Sequence, residues 1–179
     1  MRRGRNPCCL IFTALVVAAS LGLSGCSAGK ATTAPVAAGG SEGKAGPASL
    51  YPSPSLTPGD VFPGVTAKEV CVSGYSASVR AVSSDEKAAV YQRYGIPNEP
   101  GKHEVDHFIS LELGGSNMVT NLWPEPYVTP DAPGKIGAHE KDKVENYLHD
   151  QVCKNAMPLQ QAQEQIRTDW YAVYLKIAK

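Results

Sequence analysis

The chain has 179 residues, with 17 Lys+Arg against 17 Asp+Glu and a formal net charge of zero. That length suits one domain of ordinary size plus extensions. Balanced charge excludes a protein that coats nucleic acid through bulk positive charge, so any contact with a polyanion must come from a local site.

Arg2, Arg3 and Arg5 form a positive segment ahead of an apolar run from Cys8 to Leu23. This reads as a secretion signal rather than as part of the folded domain. Leu23-Ser24-Gly25-Cys26 closes the run and resembles a bacterial lipobox. The resemblance implies cleavage before Cys26, a lipid on Cys26 and attachment at the outer face of a membrane. Ordinary signal cleavage and a free secreted protein is the alternative. Loss of residues 1–25 removes three of the 17 basic residues and no acidic one, leaving 14 against 17 and a net charge of −3.

Residues 26–60 are rich in Ala, Gly, Ser, Thr and Pro and poor in large apolar side chains. Such a segment buries too little surface to offset its ordering entropy and reads as a flexible tether. Residues 61–179 then form the folded domain. Val65–Val72 is a short apolar stretch of open type, Gly74–Ser78 a turn and Val79–Val82 a strand candidate. Ser84-Asp85 caps a helix running to Tyr94, where Gly95 stops it. His103–Leu113 reads as a strand, a turn or half of a hairpin, and Asn121-Leu122-Trp123 starts a second extended piece that Pro124 and Pro126 end. Residues 138 to about 152 form a helix with Val144, Leu148 and Val152 on one side. Pro158 opens the last helix, with Ile166, Trp170, Val173 and Ile177 as its apolar stripe.

Of five cysteines, Cys8 and Cys9 leave with the signal and Cys26 carries the lipid. Cys71 and Cys153 remain for one disulfide in an exported domain, two buried thiols being the alternative.

The chemistry concentrates in Glu104–Pro126. Asp106 and His107 are adjacent, and neighbouring strand residues point to opposite faces. Near neutral pH the carboxylate suits a hard divalent cation and the imidazole suits proton abstraction from water. Phosphodiester hydrolysis uses both. Gly114-Gly115 permits positive φ or close backbone approach. His103, four residues before His107, reads as facing solvent or substrate. Trp123 and Trp170 read as core.

Asp106-His107, Gly114-Gly115-Ser116-Asn117 and Asn121-Leu122 together resemble the core of HNH endonucleases, the ββα-metal or His-Me finger family. With Asn-Leu-Trp-Pro-Glu-Pro, Lys141-Asp142-x-x-Glu145 and Asp169-Trp170, the likeness extends over about residues 61–178 and is similar to small bacterial HNH-like proteins. It implies an α+β domain with a ββα-metal finger core and flanking helices, acting as a metal-dependent endonuclease. Asp106 would be a metal ligand, His107 the general base, Asn121 the central orienting residue, and Asn117 with the glycines a structural support. The third ligand stays open. Helical spacing favours Glu145 beside the buried stripe, and the family's preference for imidazole favours His139. The implied cofactor is Mg²⁺ or Mn²⁺, with Zn²⁺ as an alternative. The implied partner is nucleic acid, DNA before RNA, with no obligate protein partner. A binding module that kept the finger fold and lost catalysis is the competing reading. The chain departs from many such proteins in lacking Cys-x-x-Cys zinc pairs.

Overall fold

A computed structural model describes residues 50–129, 132 and 134–179. They belong to one compact unit, Ser41–Lys179. The signal segment, Cys26 and the tether up to residue 49 lie outside the described residues. Among the described residues no helix is long and apolar enough to cross a membrane.

The elements are α1 (Ala67–Val70), α2 (Tyr75–Val79), α3 (Ser84–Tyr94), β1 (His103–His107), β2 (Leu122–Pro126), α4 (Ala138–Cys153) and α5 (Leu159–Ile177). The fold is α+β: helices around a two-stranded antiparallel sheet. α3 starts one residue earlier than its predicted cap implies. Ser83 Oγ accepts from Glu86 N while Glu86 Oε2 accepts from Ser83 N, a reciprocal capping box. Gly95 at φ 64° ends it, as predicted.

The expected turn at Gly74–Ser78 is replaced by α2, which takes in Val79, and the rest of the expected strand, residues 80–82, forms no regular element. The reason lies in the hydrogen-bonding partners. Val79 O and Ala81 N are taken by the side-chain amide of Asn117 rather than by a neighbouring strand.

Pro124 sits inside β2, and Pro126 is its last residue. Phe108 N donates to Asn121 O at 2.8 Å and Tyr127 N to Lys102 O at 3.0 Å. These flanking bonds make Glu104–Glu125 and Asp106–Trp123 the hydrogen-bonded pairs. Pro124 and Pro126 therefore occupy positions whose nitrogens point out of the ladder, where a missing N–H costs nothing.

The tether was expected to reach residue 60, but residues 50–60 pack on the domain. Trp170 Nε1 donates to Leu50 O, Tyr51 OH to Asp169 Oδ1, and the fully buried Thr57 donates to Leu122 O. Tyr51 lies with its ring centroid 6.1 Å from that of Trp170. Low average apolarity hid a few well-used anchor residues.

Val144, Leu148 and Val152 on α4 meet Leu159, Ile166 and Trp170 on α5 in the core. α5 breaks at Asp169, whose backbone is extended and whose Oδ1 accepts from Ala172 N at 2.9 Å, capping the second half. The predicted disulfide is present: Cys71 after α1 bonds Cys153 at the end of α4, closing a sequence separation of 82.

Candidate active site

The C-terminal end of β1 carries Asp106 and His107 to the wall of one small pocket of 170 Å³. Arg80, Ser110, Glu112 and Glu145 also line it. Strand alternation gives the two β1 residues different surroundings. Asp106 shares a face with Glu104, Trp123 and Glu125, and His107 lies on the other with Leu122. His107 is buried at 2% exposure, whereas the Asp106 side chain keeps 24%. Ser110 Oγ and Glu112 Oε2 are buried here without a hydrogen-bond partner. Orphaned polar atoms lining a pocket are groups that a ligand or water would satisfy.

The tautomer of His107 follows from its neighbour. Asn117 Nδ2 donates to Val79 O at 2.8 Å, and Asn117 Oδ1 accepts from Ala81 N at 3.2 Å. Two backbone groups thus fix which way the amide points. His107 Nε2 lies 3.0 Å from Asn117 Oδ1, so Nε2 carries the proton. Nδ1 is left as the lone-pair nitrogen of the neutral ring. Burial pushes the imidazole below its ordinary value, Arg80 adding to this and the Asn117 bond and Asp106 opposing it. A neutral imidazole with one nitrogen free to accept is the form a general base needs.

Asn121 is fully buried and staples the loop between the strands. Its Oδ1 accepts from Ile109 N at 2.9 Å, and its Nδ2 donates to Ile109 O and Ser116 O, both at 2.9 Å. It touches the loop backbone rather than His107. Gly114 has φ 78°, and a Cβ there would approach Val65 to 2.7 Å. A Cβ on Gly115 would run into the Ile109 carbonyl. The glycine pair thus serves one position of each kind expected.

On the Asp106 face, α4 sends Lys141 into the sheet. Its side chain is 1% exposed. Nζ donates to Asp106 Oδ2 at 2.9 Å, to His107 O at 3.0 Å and to Glu145 Oε1, which uses all three of its protons. Glu125 Oε2 lies 3.3 Å away in an ion pair. Burial raises the Asp106 carboxyl, but the ammonium outweighs it and holds that group below its usual value. Burial drives Glu125 well above the ordinary range and Glu145 up to about 8, the Asp106 charge adding to both. Burial alone would lower Lys141, yet Asp106, Glu125 and Glu145 hold it well above its usual value. The ammonium thus favours the charged form of Asp106, while burial pushes Glu125 and Glu145 toward their neutral forms.

The expected third ligands separate. Glu145 joins the cluster and lines the pocket. His139 stands out in solvent with 73% side-chain exposure, 3.8 Å from Asp142 and beside the Tyr127 ring, outside the residues lining the pocket. Among the described residues, only Cys71, His149 and Cys153 bring three ligand atoms within 4.8 Å of one another. Both of those sulfurs are already joined in the disulfide. Asp106, Glu125 and Glu145 are hard oxygen donors of the type Mg²⁺ or Mn²⁺ takes. Their oxygens stand around an ammonium and are too widely spaced to close on one small ion. The site as folded does not fit the expected metal. His103 is half-buried, its carbonyl accepting from Tyr91 OH. Trp123 and Trp170 are core, at 3% and 1% exposure.

No protein-family profile, curated protein or solved structure matches this chain.

Three residues of this region were not singled out from sequence. Lys141 precedes Val144 by three positions and so lies on the predicted buried stripe, a signal that was readable. Glu125, between two prolines, gave none. Arg80 lines both the His107 pocket and a larger one of 480 Å³ with Lys87, Glu104 and Asp106. Its exposed guanidinium makes no ion pair among the described residues.

Proposed function

We propose that this chain hydrolyses phosphodiester bonds of nucleic acid, DNA before RNA, at a ββα finger of the HNH kind with His107 as general base. The observation that carries the reading is the Asn117-fixed, neutral His107 in a pocket beside Asp106. The order β1, Asn-stapled loop, β2, α4 supports the finger. In this reading the ring takes a proton from water at Nδ1. The resulting hydroxide attacks phosphorus, the opposite P–O ester bond breaks, and the departing oxygen is protonated from solvent. Arg80 at the rim supplies positive charge for the phosphate oxygens. A divalent cation, Mg²⁺ or Mn²⁺ with Zn²⁺ as the alternative, supplies charge stabilisation in the enzymes that this chain resembles. Here the acids engaged by Lys141 leave that work to the protein's own charges.

A site outside the cell belongs to the same proposal, either held through a lipid on Cys26 or secreted. The Leu23–Cys26 sequence and the Cys71–Cys153 disulfide support it, because such bonds persist in oxidising compartments.

The test is plasmid nicking and RNA cleavage by the purified chain with Mg²⁺, with Mn²⁺ and with EDTA. The wild type should cut, and His107→Ala should be slower by roughly a hundredfold or more. Intact substrate under every condition, or an equally active His107→Ala, rejects the reading. A second reading, a phosphate-binding module without catalysis, is favoured by the filling of the acidic cluster by Lys141. Saturable oligonucleotide binding, lost in Arg80→Ala and unaccompanied by cleavage, would select it.

A further inference from the structure

We propose that Lys141 is the resident cation of this site, taking the place that a divalent metal holds in metal-dependent fingers. Four oxygens surround its ammonium: Asp106 Oδ2 at 2.9 Å, His107 O at 3.0 Å, Glu125 Oε2 at 3.3 Å, and Glu145 Oε1. They come from β1, β2 and α4. An ammonium tolerates these spacings because three of the oxygens each take one N–H and the fourth, on Glu125, lies at contact distance without one. A Mg²⁺ ion demands a tight octahedron of oxygens at about 2.0–2.1 Å. Asp106, Glu125 and Glu145 do not bring one oxygen each within 4.8 Å of one another, so that octahedron is not prepared. A metal seated on Asp106 would also face the buried ammonium across a shared carboxylate, with like charges repelling in a poorly solvated site.

Lys141 is not placed to touch substrate, at 1% exposure. It is a positioning residue. Its bond to His107 O ties the backbone of the base to α4, and its bond to Asp106 fixes the neighbouring carboxylate. The helix-stripe position explains how it is delivered: Lys141, Val144, Glu145 and Leu148 follow helical spacing, and all are buried or nearly so. An ordinary surface lysine would lie on the opposite side of α4.

The inference builds on the proposed active site but has its own readout. The full chain, purified in detergent, is titrated with Mg²⁺, Mn²⁺ and Ca²⁺ by calorimetry. Its melting point is followed with each ion and with EDTA. Asp106→Asn and Lys141→Met are measured alongside. The wild type should bind no ion in a manner dependent on Asp106, and EDTA should leave its melting point unchanged. Lys141→Met should melt lower, bind Mn²⁺ and regain several degrees with it, because Asp106 has lost its counter-charge and, with no ammonium between them, the acid oxygens can draw together on an ion. A merely structural lysine would give the lower melting point without the gain in metal binding. Sub-millimolar Mg²⁺ or Mn²⁺ binding by the wild type that Asp106→Asn abolishes overturns the proposal. So does a folded Lys141→Met that binds no divalent ion. If that variant does not fold, the wild-type titration decides alone. Failures of the two readings differ: a wild type that binds no metal and cuts nothing keeps the resident lysine and loses the nuclease. Cleavage that requires an Asp106-bound metal does the reverse.

Discussion

Glu145→Gln isolates the charge balance around Lys141. Glu145 is 12% exposed at its side chain, and burial pushes its carboxyl up to about 8 from an ordinary 4.5. A folded-state value above the unfolded one means that the native protein holds the proton more tightly. Its contribution is fully present below about pH 4.5 and is lost as pH rises toward 8. Linkage puts the loss at a few kcal/mol in all, most of it between pH 5 and 8. Gln keeps the carbonyl acceptor for Lys141 Nζ and cannot ionise. Urea unfolding at pH 5, 7 and 9 should show the wild type losing stability across this range. Glu145→Gln should fall less, the difference between the two curves widening mainly between pH 5 and 8. Parallel curves, or a wild type that gains stability from pH 5 to 8 relative to the variant, would refute the neutral assignment of this acid.

Asn121→Ala strands the Ile109 N–H and two loop carbonyls, and urea unfolding should record a loss of about 3 kcal/mol. Replacing both cysteines by serine opens the loop closed by Cys71–Cys153 and should cost about 4 kcal/mol, read as a melting point lower by roughly 15 °C. Arg80→Ala should leave the melting point within about a degree, since the residue is exposed and makes no ion pair among the described residues. The same variant should lower kcat for an oligonucleotide roughly tenfold or more and weaken its binding, because the positive charge beside the phosphate oxygens is gone.

The sequence was most informative where one physical signal ran over many residues. α3, α4 and α5 were legible from apolar spacing and caps, and the Cys71–Cys153 pairing from elimination on the expectation of export. Asp106, His107 and Asn121 stood out as a constellation, and the fold brings the first two to one pocket. Asn121 acts one step back, on the loop. The less legible parts depend on contacts distant in the chain. The segment after α2 pairs with no strand because Asn117 takes Val79 O and Ala81 N. Residues 50–60 are ordered by Trp170, Asp169 and Leu122, which composition within that segment cannot reveal. Glu125 is buried because its strand is covered along all five residues. Lys141 is the instructive miss. It stood within the quoted likeness without a role, while its position on the Val144 stripe pointed inward.

The most direct measurement is the rate of cleavage of a fluorescent oligonucleotide against pH, for the wild type and for His107→Ala. The wild-type rate should climb with pH through a value below the ordinary imidazole pKa of about 6.5 and then level off, because His107 must be neutral to take a proton. His107→Ala should lose both the rate and the inflection. No turnover by the wild type, or an unchanged profile without the imidazole, would contradict the account.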